Sequence, residues 1–210
     1  MSRSLVRTIM LLGAAVLSAC SSSGEGATVD AAGGDDAPID ARGGTGGPDD
    51  AQREPGEPAE LAGITRAHND VRARVATATA LPPMAWDDAL AATAAAYLPS
   101  CVDRDGNGLI DHNPDRAKGH AFLVGENIFA STGTATAAAA VGSWADEQRY
   151  YQYADNTCVA GKVCGHYTQV VWRDSVKIGC AIHRCANLRY ASTILCDYGP
   201  AGNVGRDKPY

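Results

Sequence analysis

Several common signatures are missing from this chain of 210 residues. It has no apolar run long enough to span a bilayer; the longest, Ile9 to Leu17, is too short. It has no C-x-x-C pair, so neither a zinc ribbon nor a thioredoxin-type redox motif is written in it. No H-E-x-x-H helix is present to hold a protease zinc, and no G-x-S-x-G elbow to present a serine. Basic residues form no stripe, which argues against a nucleic-acid partner.

What is present begins with an address. Arg3 and Arg7 precede the short apolar run, and Leu17-Ser18-Ala19-Cys20 follows it. Residues 1–19 therefore read as a secretory signal. Its end looks like a bacterial lipobox, with Cys20 acylated as the mature N-terminus and anchoring the chain to a membrane. Ser21 after that cysteine is compatible with sorting to the outer membrane, so a bacterial cell-envelope location is expected. From Ser21 to Pro58 the chain carries nine acidic and two basic residues and no aromatic one. Such a stretch buries too little apolar surface to offset its ordering entropy. Residues 20–58 are expected to be a lipidated, disordered acidic tether, which also absorbs most of the formal charge of −6.

Residues 59–210 read as one domain. Leu61, Ile64, Ala67 and Val71 recur at helical spacing and predict a helix to about Val75. Asp87 or Asp88 caps a second helix, alanine-rich to Leu98 and stopped by Pro99. Phe122 to Ala130 predicts a strand through Glu126. Thr134 or Thr136 caps a third helix through Trp144 to about Tyr150, with Glu147 on the face of Trp144. Strands are expected over Lys177–Arg184 and Arg189–Asp197. For Gly165 to Trp172, propensity favours a strand, because of Thr168, Val170 and Val171.

Seven cysteines are an odd number, but setting Cys20 aside leaves six. In an exported domain they read as three disulfides, whose pairing the sequence does not choose.

Two groups of residues carry candidate chemistry. Asp103-Arg104-Asp105-Gly106-Asn107-Gly108-Leu109-Ile110-Asp111 fits the opening of a calcium loop. Asp103, Asp105, Asn107, the Leu109 carbonyl and Asp111 are at ligand places, and Gly108 is at the turn. Position twelve is Pro114 where a bidentate Glu belongs, and an acidic surface turn explains the same residues. The second group is scattered: His112, Glu126, Glu147 and His166, with His120 competing for the place of His112. Two imidazoles and two carboxylates suit a metal or acid–base site, but spacing does not show that they meet.

Four blocks of sequence resemble the CAP superfamily of cysteine-rich secretory, antigen-5 and class-one pathogenesis-related proteins. They are Gly125-Glu126-Asn127-Ile128, Trp144 with Glu147, Gly165-His166-Tyr167-Thr168-Gln169-Val170-Val171-Trp172, and Cys196 to Asn203. Ile178-Gly179-Cys180-Ala181 adds to the match, which covers roughly residues 61 to 210. The resemblance implies an α+β fold, a three-layer αβα sandwich with a mainly antiparallel sheet. It implies disulfides Cys101–Cys185, Cys158–Cys164 and Cys180–Cys196, and a short helix rather than a strand at His166. It also implies that His112, Glu126, Glu147 and His166 face one cleft as a candidate metal site. There the imidazoles would bind Zn²⁺ or a similar ion, while the carboxylates orient a metal-bound water or hold the histidine tautomers.

The resemblance also suggests sterol binding near Tyr150, Tyr151 and Tyr153. The leading functional expectation is a membrane-tethered module that binds an apolar or lipid ligand, or a protein partner, without catalysis. The alternatives are a metal-assisted hydrolase using Glu126, Glu147 and His166, and a calcium-stabilised interaction domain. A serine hydrolase would need Ser175 to act with His166 and a glutamate.

Overall fold

The computed structural model describes residues 53–210. Signal, lipobox and most of the acidic tether, Cys20 included, lie outside the described residues. Packing reaches back past Ala59: the Glu57 carboxylate is 3% exposed and accepts N–H groups from Glu54, Gly63 and Thr65. It thereby satisfies donors at the start of helix α1 (Ile64–Ala73), whose own N-cap, Gly63, has no side chain to do so.

Leu61 lies in a 3₁₀ turn at Ala59–Leu61, and with Ile64 and Val71 it is buried as the helical spacing predicts. A two-residue strand, β1 (Ala85–Trp86), follows, which periodicity did not signal. Asp87 then caps α2 (Asp88–Tyr97), its carboxylate accepting from Ala89 and Leu90 N–H. Pro99 does not end the coil outright, because a 3₁₀ turn carries it over Leu98–Ser100.

Strand β2 spans Gly125–Ser131. Thr136 caps α3 (Ala137–Asp146), which tightens into a 3₁₀ turn over Glu147–Tyr150. Strands β3 (Tyr151–Gln152) and β4 (Thr157–Cys158) pair as a small separate ribbon. Helix α4 is Gly165–Val170, and β5 is Lys177–Arg184 as periodicity predicts. The last strand, β6, is Ser192–Gly199, two to three residues later than expected. Residues 186–190 form a turn and bend instead, held where Tyr190 N–H meets the Gly108 carbonyl.

The main sheet runs in the order β1-β5-β6-β2, antiparallel except for the β1–β5 pair. All eight residues of β6 are buried, as befits a central strand covered on both faces. Its alternate side chains feed two apolar clusters. Ile194, Cys196 and Tyr198 join Leu61 of the 3₁₀ turn and Ile64, Trp144, Tyr167 and Val170 of α1, α3 and α4. Leu195 joins Ala94, Leu98, Ile110 and Ala181 on the α2 side. The result is α+β, helices over both faces of one sheet. Gly179 lets α2 sit this close, since a Cβ there would lie 2.1 Å from the Ala91 nitrogen.

Three disulfides complete the frame. Cys180–Cys196 bridges register partners on β5 and β6, and Cys158–Cys164 closes the loop into α4. Cys101–Cys185 ties the end of the α2 turn to the end of β5 across 84 residues of sequence.

Candidate functional site

Two carboxylate–imidazole pairs flank the edge strand β2. The first is built by β2 itself and the loop after α2. Glu126, its side chain fully buried, accepts from His112 Nδ1 at 2.5 Å and from Asn113 N–H at 3.1 Å. Tyr97 Oη donates to the carbonyls of Asp111 and His112, pinning that loop to α2. His120 is elsewhere: its Nε2 meets Thr93 Oγ1 at 3.0 Å, and its ring packs beside Phe122.

The second pair belongs to the other face. Glu147 Oε1 accepts from His166 Nδ1 at 2.6 Å, while Oε2 accepts the backbone N–H groups of His166 and Tyr167. One carboxylate therefore orients the ring and caps α4, whose own N-cap residue, Cys164, makes no capping side-chain hydrogen bond. At the opposite end, buried Arg72 donates to the carbonyls of Val170 and Trp172. Clamped at both ends, Gly165–Val170 is helical despite its strand-favouring residues. Trp144 stacks against the His166 ring at 6.4 Å between centroids. Asn127, the neighbour of Glu126 but facing the opposite way, donates to the His166 carbonyl and to Tyr198 Oη.

Behind this wall His68 is completely buried, with Nδ1 on the Ile64 carbonyl and Nε2 on Tyr198 Oη. Burial lowers its pKa to about 4; the Ile64 hydrogen bond opposes the shift and the charge of Arg72 assists it. It stays neutral and structural.

The chemistry follows from the tautomers. An ionised carboxylate only accepts, so each Nδ1 facing one carries the hydrogen, and each neutral ring keeps its lone pair on Nε2. His112 and His166 border one cavity of about 250 Å³ together with Ile110, Ile128, Asp105 and Asp111. Both imidazoles border this one small space, and a neutral imidazole nitrogen is a ligand type that divalent ions of the zinc kind accept. The two glutamates are engaged on the far side of the rings, as orienting groups. Ser175 is not part of this constellation, being fully buried between Gln169 Nε2 and the Pro200 carbonyl.

The Asp103 loop adjoins the same cavity. Side-chain oxygens of Asp103, Asp105 and Asp111 lie within 4.8 Å of one another. Asp103 already accepts from Asn107 and Gly108 N–H, Asn107 Oδ1 from Leu109 N–H, and Asp111 from Arg104. The three tyrosines diverge from the cleft. Tyr150 lies under Arg149 and Lys162, Tyr151 bonds Asn156, and Tyr153 stacks on Tyr210 beside a cavity of about 720 Å³.

Sequence reasoning did not find Asn113, Asn127 or Asp197. The last two lie inside the quoted blocks, but only strand pairing shows what they face.

A disulfide-stabilised αβα domain with two glutamate-held histidines over an edge strand defines a recognisable class. Residues 65–198 match the family model described as CAP, the cysteine-rich secretory protein family, and the chain belongs to that family. It is 43% identical over 145 residues to pathogenesis-related protein 1B of Nicotiana tabacum, covering 69% of this chain and 77% of that protein. Among solved structures, Schistosoma mansoni venom allergen-like protein 4 shares the fold, with a TM-score of 0.58 and 23% identity. That match covers 75% of this chain and 94% of the other. The crystal structure of NaASP2 with Zn²⁺ matches at a TM-score of 0.50 and 27% identity, over 70% of this chain and 82% of that one. No helix among the described residues is long and apolar enough to cross a membrane.

Proposed function

We propose that this is a CAP domain displayed on the bacterial cell envelope through a lipidated Cys20, most simply at the outer membrane. Its cleft holds a divalent ion, and its surface binds a small apolar or lipid ligand, or a protein partner, without turnover. The carrying observation is the pair of Nδ1–carboxylate bonds, at 2.5 Å and 2.6 Å, on two histidines that border one cavity. Zinc is the favoured ion, supported by the relative whose structure was solved with Zn²⁺. An apolar ligand is best accommodated beside Tyr153 and Tyr210, apart from the ion. A hydrolase reading fares worse. Both glutamates are committed to imidazoles, which leaves neither as a free general base, and Ser175 is buried elsewhere.

The deciding experiment is calorimetric titration with Zn²⁺, comparing wild type with the double variant His112→Ala/His166→Ala. Binding in wild type, lost in the variant, is the expected result. Equal binding by both moves the ion out of the cleft, and no binding by either removes the ion from the function. A parallel Ca²⁺ titration tests the Asp103 loop: an ion seated there is retained by the histidine variant and lost in Asp103→Ala/Asp105→Ala.

A further inference from the structure

Asp197 on β6 is the register partner of Glu126 on β2, so the two side chains leave the sheet on the same face. Both are fully buried. Glu126 Oε1 is well supplied by His112 Nδ1 and Asn113 N–H, but Oε2 has only a long contact of 3.4 Å to Asn113 N–H. Among the described residues, neither side-chain oxygen of Asp197 has an N–H or hydroxyl donor within reach. The neighbouring cation is Arg116, and among the described residues its guanidinium donates to the carbonyls of Val124 and Asn113. On the other side, the register partner of Asp197 is Gly179, which offers nothing.

Two ionised carboxylates side by side in such a place repel each other and lack their solvation. A single proton between them supplies both deficits at once, the donor missing from Glu126 Oε2 and the partner missing from Asp197. We propose that Asp197 is a positioning residue of the cleft: as a neutral acid it donates its O–H to Glu126 and holds that carboxylate in the rotation that receives His112 Nδ1–H. Burial, reinforced by the charge of Glu126, moves the Asp197 pKa well above the usual carboxylate range, in keeping with this arrangement.

A relay Asp197–Glu126–His112 then runs from the sheet interior to the cavity. His166 is set differently, by Glu147 and by Asn127 on the opposite face. The inference rests on the reading that His112 Nε2 is a working atom of the cleft, but its test does not require a metal.

The test uses the full chain with isotope-labelled histidine nitrogens, the tautomers of His112 and His166 being read by NMR at neutral pH. Asp197→Asn keeps a neutral donor and is expected to leave His112 in the Nδ1–H form. Asp197→Ala is expected to give a tautomer mixture at His112, with His166 unmoved, and to weaken Zn²⁺ binding about tenfold. The idea is overturned if the asparagine variant disturbs His112 as much as alanine does, or if alanine leaves His112 unchanged. Should the alanine variant fail to fold, wild type decides by itself. A labelled Asp197 side chain must then show the carboxyl signal of a neutral acid, and an ionised signal ends the proposal. If the tautomers respond as expected while Zn²⁺ fails to bind, the positioning role stands and the metal reading falls.

Discussion

His68 offers the sharpest quantitative test of the scaffold behind the cleft. In an unfolded chain a histidine titrates near 6.5, whereas burial lowers this one to about 4. The folded state thus prefers the neutral ring. This preference contributes its full stability above about pH 6.5 and loses it as pH falls toward 4. At about 1.4 kcal/mol per pKa unit, the shift amounts to roughly 3 kcal/mol, of which about 2 are lost by pH 5. Asp197, shifted upward, acts in the opposite sense, and the other carboxyl groups add their own slopes, so the wild-type curve alone is not diagnostic.

The difference against His68→Gln is diagnostic, because every other group is common to both proteins. The variant is expected to be less stable at pH 7 but flatter, so that the two urea-unfolding curves converge on acidification. Tryptophan fluorescence reports the unfolding. Parallel stability profiles between pH 7 and pH 4.5, or an NMR titration placing His68 near 6.5, would refute the reasoning.

Two further outcomes concern the clamps on the helices. Arg72 is 1% exposed and, among the described residues, makes five hydrogen bonds to the carbonyls of Pro82, Val170, Trp172 and Arg173, without a carboxylate partner. Arg72→Met should cost on the order of 4 kcal/mol by orphaning those carbonyls, measurable by chemical denaturation. It should also free the end of α4, broadening the His166 signal. Glu57→Ala should cost about 2 kcal/mol through the lost N–H contacts of Gly63 and Thr65, and a fragment starting at Ala59 should melt below one starting at Arg53. Equal melting of the two fragments would show that the Glu57 cap contributes nothing.

By itself, the sequence determined whatever depends on neighbours along the chain. Helical spacing at Leu61, Ile64 and Val71, the Asp87 and Thr136 caps, and alternation along Lys177–Arg184 all express local geometry that a few residues settle. The motif blocks carried the family, and with it the fold, although spacing alone did not pair a single cysteine.

Tertiary structure decided the rest, because the deciding partners are far away in sequence. Val170 and Val171 favour a strand, yet Glu147 and Arg72, distant along the chain, supply the partners that close the ends of α4 and make it a helix. The sequence favours His112 but leaves His120 as a competitor; the register of β2 and the loop pinned by Tyr97 place the first against Glu126 and the second against Thr93. Asp197 looks like an ordinary strand-end acid until β6 is seen to be central and buried on both faces. There the absence of any donor among the described residues, and the carboxylate opposite, turn its proton into part of the cleft.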